Sequence, residues 1–273
     1  MEEQWSSVLV KRRPRVKDTD MARTKKLTPL DAFNSNIADS EKLVAYAGAF
    51  QNRRKYRMPE KLRERVGEAL GVPAKKRTAL DCLENDHLFA VFKPDGGMGR
   101  DQFDDLRPLL RQAVVAACAA VETYVADKTM KFVGKALGAN QLPPRLREIT
   151  LTLGHWDDIK KRGFKRPVWA IRPVVEEAVR EMSSTAPSSI GKVLAIVGVQ
   201  GWSKKVDRAR TVEDGTTERE LERLTDRRNR IAHSADRKGQ RRATIELAEV
   251  ESYITLSKSV VSALEAVLKK HKI

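Results

Sequence analysis

Between Asp101 and Leu137 the chain carries its strongest periodic signal. Leu110, Val114, Ala117, Val121 and Val125 recur at steps of three and four, the period of a helix with one buried face. Such a helix has to be covered by other elements, and the rest of the chain offers further helices to do so. Asp214 to Ser234 reads as a polar helix. Ile245 to Lys270 reads as a long closing helix with Val250, Ile254, Val261, Leu264 and Leu268 on its face. Helical patterns also run near 170–182 and 187–199. The apolar run KVLAIVGV within the second is also compatible with a strand, but no partner strand is visible and helix is favoured.

Upstream, Thr28 is placed as an N-cap, with Pro29 at the first helical position and Asp31 in the first turn. Pro59 opens a second helix that Gly71 closes, and a third short helix is expected over roughly 78–91. The glycines of KPDGGMGRD have no preceding strand and no following GK[ST], so they read as a turn and not a phosphate loop. The fold class expected is all-α. Residues 1–27 form a basic flexible arm, 28–100 an N-terminal helical region, and 101–273 a helical bundle. A chain of 273 residues can bury such a core without disulfides or metal staples.

The net charge is +16, which makes a polyanion the natural partner, with plain solubility as the alternative. Aromatic residues are only 5%, too few for a base-stacking platform. No apolar run is long enough to span a bilayer, so no membrane role is expected. No apolar signal core is seen near the N-terminus, and a reducing cytoplasm fits the cysteines. Cys82 and Cys118 lie in apolar stretches and read as buried free thiols. His87, His155 and His271 lack ligand-spaced neighbours, so no metal and no cofactor is expected.

The chemistry concentrates in LERLTDRRNRIAHSADR, residues 221–237. Leu221, Leu224 and Ile231 form an apolar stripe, and Arg228 falls on it. An arginine on a core-facing seam is costly unless paired. His233 follows Asn229 by four residues, one helical turn, so their side chains are neighbours. Glu122 interrupts the apolar stretch AACAAVETYV and needs a cation, so pairing Glu122 with Arg228 would satisfy both.

RRNRIAHSAD resembles the signature of the HEPN superfamily: an arginine, a polar residue, then a histidine four to six residues after the arginine. LLRQAVVAACAAVETYV resembles the first core helix of its RiboL-PSP branch, with Glu122 where that branch more often has Asp. Trp202 and the helix after the motif fit the same branch. The resemblance covers roughly residues 101–268, more weakly from 28 onward. It implies a HEPN-like helical bundle, usually a homodimer, whose motif helices face each other across a cleft.

The resemblance further implies metal-independent cleavage of RNA in a toxin or antiviral defence setting. Arg228, Asn229 and His233 would be catalytic. Glu122, Arg227 and Asp236 would support them, Asp236 either capping the turn or holding Arg227. A toxic ribonuclease calls for an antitoxin or regulatory protein as a further partner. The alternative is a non-catalytic RNA- or nucleotide-binding module of the same fold, in which Arg228 and Glu122 form a structural pair.

Overall fold

The computed structural model describes residues 27–51, 54–56, 58–85, 88–92, 105–162 and 167–271. The basic arm up to residue 26 and the KPDGGMGRD turn lie outside them. Helix α1 (Pro29–Gln51) opens as its sequence requires. The Asp31 amide donates to the Thr28 hydroxyl at 3.2 Å and the Thr28 amide donates to the Asp31 carboxylate at 3.2 Å, a reciprocal cap.

Helix α3 (Arg107–Leu137) is the centre of the molecule. Leu110, Val114, Ala117, Val121 and Val125 are all buried, as their spacing predicts. Alanines 113, 117 and 120 are fully buried too; their small side chains let neighbouring helices approach closely. α3 is packed by α1, by α6 (Pro167–Met182), by α9 (Thr216–Ser234) and by α10 (Leu247–Lys270). Between them come α4 (Pro144–Arg147), α5 (Leu153–Arg162), α7 (Pro187–Ala195) and α8 (Trp202–Arg210). The run KVLAIVGV starts in α7 and ends in a turn, not a strand. Among the described residues α3 is the one helix long and apolar enough to cross a membrane. Here it is the core helix of the bundle.

One polar cluster ties the bundle together. Glu265 of α10 accepts the Tyr124 hydroxyl at 2.7 Å and the Lys128 ammonium at 2.6 Å, both from α3. Burial pushes the Glu265 carboxyl up, but these two donors outweigh it and hold it below the usual glutamate range.

The region before α3 departs from the sequence expectation. α2 (Glu60–Ala69) follows Pro59, and Gly71 takes the left-handed φ of +64° just past its end, as expected. The helix expected over 78–91 is absent. A 3₁₀ turn (Ala74–Ala79) leads instead into strands β2 (Asp81–Asn85) and β3 (Leu88–Phe92). With β1 (Arg54–Tyr56) they form an antiparallel sheet in the order β1-β2-β3. In its register Tyr56 faces Cys82 and Cys82 faces Val91. LFAVF is a five-residue apolar run, and runs that short carry no decisive period. Met58, Val72 and Leu80 form a satellite core here, whereas Phe33, Ile37, Val44 and Ala47 of α1 belong to the main core. The all-α description therefore holds for the bundle, and the small sheet is appended to it.

Candidate functional site

Helix α9 carries the site, and its N-terminus is fixed from outside. Asp207, fully buried near the end of α8, accepts the Gly215 amide at 2.7 Å and the Thr217 amide at 2.9 Å. It caps α9 from another helix, satisfying amides that have no partner within the helix. Burial would raise its pKa, but these bonds and the Thr217 hydroxyl hold it below the usual range. Gly215 adopts φ +84°, a backbone shape that glycine supplies without strain.

Further along, α9 meets Glu122 of α3. Arg228 Nη2 donates to Glu122 Oε1 at 3.1 Å and lies 3.4 Å from Oε2, while Nη1 donates to Asn229 Oδ1 at 3.0 Å. Glu122 Oε1 also accepts the backbone amide of Thr185 at 3.2 Å. Burial raises the Glu122 pKa, and Arg228 and the Thr185 amide act against that shift. The Arg228 side chain keeps 27% of its exposure, so its guanidinium is aimed by a carboxylate yet open to a solvent-borne anion. At 3.6 residues per turn, Asn229 lies about 100° around the helix from Arg228 and about 40° from His233, so it bridges them. His233 is exposed in the last turn and forms no hydrogen bond or ion pair among the described residues.

Arg227 and Asp236 belong to a different network. The sequence stripe predicts Arg228 as the core-facing arginine. In the structure Arg227 is the buried one, at 5% exposure, three residues after the fully buried Leu224. Its Nη1 donates to Asp236 Oδ1 at 3.0 Å and its Nη2 to the Thr244 carbonyl. Asp236 is fully buried and also accepts Arg111 Nε at 2.9 Å, and Arg111 Nη2 donates to the Ala243 carbonyl at 2.8 Å. Both arginines thus hold the chain just past the motif. Arg111 is a residue whose importance sequence reasoning missed. Its signal was the one that marked Glu122, a charge inside an apolar helix. Thr185, which contributes through its backbone amide, has no signal in sequence.

The helices that build this site run from α3 to α10. The model of the family described as RiboL-PSP-HEPN matches residues 98–270. The chain belongs to this family. The match begins just before α3 and ends at the last residue of α10, so the HEPN bundle is α3–α10, with α1 and the small sheet preceding it. No curated protein and no solved structure matches the chain.

Two side observations bound the chemistry of this HEPN bundle. Cys118, one turn before Glu122 on α3, is fully buried, and burial pushes its thiol up to about 12. It is a packed thiol and not a nucleophile. Among the described residues no three His, Cys, Asp or Glu side chains are placed to hold a metal ion.

Proposed function

We propose that this HEPN chain is an endoribonuclease of the toxin or antiviral defence type, with Arg228, Asn229 and His233 as its catalytic residues. The observation that carries the reading is the partly exposed Arg228 aimed by Glu122, close along the helix to an exposed, unengaged His233. RNA brings its own nucleophile. His233 takes the proton of a 2′-hydroxyl, whose oxygen forms a new bond to the adjacent phosphorus. The bond from phosphorus to the 5′-oxygen breaks, and that oxygen receives a proton. The products are a 2′,3′-cyclic phosphate and a 5′-hydroxyl, and the balance of the reaction calls for no metal. Arg228 binds the non-bridging phosphate oxygens and stabilises the charge that grows on them. Asn229, held by Arg228, keeps its amide nitrogen as a donor to the phosphate.

One imidazole cannot be base and acid in the same step. A homodimer with two facing copies of α9 supplies both, one His233 accepting a proton while the other donates. The exposure of His233 in the single chain supports that assembly. An antitoxin or regulatory protein would restrain such an enzyme.

The other reading is a binding module of the same fold, and the pairing of Arg228 with Glu122 within the chain favours it. Growth after induced expression separates the two. The nuclease reading predicts arrest that His233→Ala relieves. A binding module predicts the same growth with either protein.

A further inference from the structure

α9 does not end freely. Ala235 and Asp236 both take left-handed backbone conformations, with φ of 49° and 58°, and turn the chain into a short hairpin. Its strands are β4 (Arg237–Lys238) and β5 (Arg241–Arg242), joined through Gly239 and Gln240 with Gly239 at φ +66°. The hairpin starts four residues after His233.

Its pairing is electrostatically unfavourable. Arg237 stands opposite Arg242 and Lys238 opposite Arg241. Like charges directly across a strand pair destabilise it, and a two-stranded hairpin is marginal to begin with. Arg237, Arg241 and Arg242 are exposed, and among the described residues none of them forms an ion pair. The nearest carboxylate in sequence, Asp236, is occupied by Arg111 and Arg227. The hairpin persists because its root is clamped. Arg111 holds Asp236 and the Ala243 carbonyl, Arg227 holds Asp236 and the Thr244 carbonyl, and the Ala243 amide donates to the Asp236 carbonyl at 2.7 Å. A rigid, buried root thus presents a concentrated cationic tip beside the site.

We propose that the hairpin of Arg237–Arg242 is an RNA-backbone clamp that grips phosphates flanking the bond positioned at Arg228 and His233. The inference rests on the RNA reading above and adds to it the residues that set affinity and register on the strand. Phosphates between the paired strands would neutralise the cross-strand repulsion, so the segment gains order when RNA binds. The three arginines are positioning residues and do not touch the reacting atoms.

The test measures binding of a labelled single-stranded RNA of mixed sequence over a range of salt concentrations, in the His233→Ala background so that the RNA stays whole. Each phosphate that the protein ceases to neutralise lowers the slope of log affinity against log salt by about 0.7. Arg237→Gln, Arg241→Gln and Arg242→Gln together are expected to lower the slope by about two and to weaken binding roughly ten- to a hundredfold at about 0.1 M salt. Arg241→Gln alone gives about a third of the slope change, and lysine at all three positions restores it. With His233 intact, the triple glutamine variant should raise KM for RNA and leave kcat within about twofold, since only uniform binding is removed.

An unchanged slope in the triple glutamine variant, with a wild-type protein that cuts RNA, overturns the clamp and spares the nuclease. A reduced slope in the triple glutamine variant, with a wild-type protein that never cuts RNA, keeps the clamp and removes the nuclease. Unchanged RNA binding with loss of an acidic protein partner assigns the hairpin to that partner and also overturns the proposal.

Discussion

Arg227 and Arg228 are adjacent in the chain, yet they serve different ends. Arg227 is committed to the buried Asp236 carboxylate, the Thr244 carbonyl and the Glu249 carboxylate 3.3 Å from its Nε, and these partners offset its removal from water. Arg228 is pinned on one side and wet on the other. The distinction predicts different mutational costs. Asp236→Ala leaves two buried guanidinium groups, Arg111 and Arg227, without their shared anion. Removing one partner of a buried pair costs about 3–5 kcal/mol. Urea unfolding of Asp236→Ala should therefore show a loss of about 3 kcal/mol or more. A change near zero would mean that the network contributes nothing net. At this scale the sequence was partly legible. Glu122 and Arg228 each broke an apolar stripe, and they do meet. Which of two adjacent arginines is buried was not legible, because a rotation of α9 by one residue exchanges them, and packing against α3 and the Asp236 turn decides that rotation.

Individual elements depend on partners that are distant in sequence. The capping of α9 by Asp207 comes from α8, a helix that sequence reasoning did not mark. WSKKVDRAR is mostly charged, and its buried apolar face consists of little more than Trp202 and Val206. Asp207→Ala should lower stability by about 2 kcal/mol, the upper end of a capping loss, because the orphaned Thr217 amide is buried. Thermal unfolding measures it.

The cluster joining α3 and α10 predicts a pH dependence. The folded-state pKa of Glu265 lies below its ordinary 4.5. Its contribution is therefore fully present above pH 4.5 and is lost as pH falls through the lower folded value. Glu265→Gln should flatten the loss of stability below that pH, read as the urea midpoint against pH. An unaltered acid limb would assign the loss to other carboxylates. Elements with strong periodicity, α3 and α10, were legible because burial imposes the pattern. The strands β2 and β3 were not, since runs as short as the mixed DCLEN and the apolar LFAVF gain their strand character from pairing with each other.

For the whole molecule, the bundle places its catalytic candidates at the C-terminal end of α9, with the clamped hairpin immediately after them. On the proposed reading, the net charge of +16 would draw RNA to the molecule, and the cationic hairpin would hold it at the end where His233 lies. The family and bundle were legible because one motif and one long helix occur in the right order. The small sheet before α3 stands outside the family match.

Cleavage of an end-labelled RNA in EDTA by the wild-type protein, Arg228→Ala and His233→Ala tests the central claim most directly. The account predicts fragments with 2′,3′-cyclic phosphate ends from the wild type. It predicts rates lowered by about a hundredfold or more in each variant, the scale of a lost general base or phosphate-stabilising group. Undiminished cleavage by His233→Ala, or fragments ending in a 3′-hydroxyl, would contradict it.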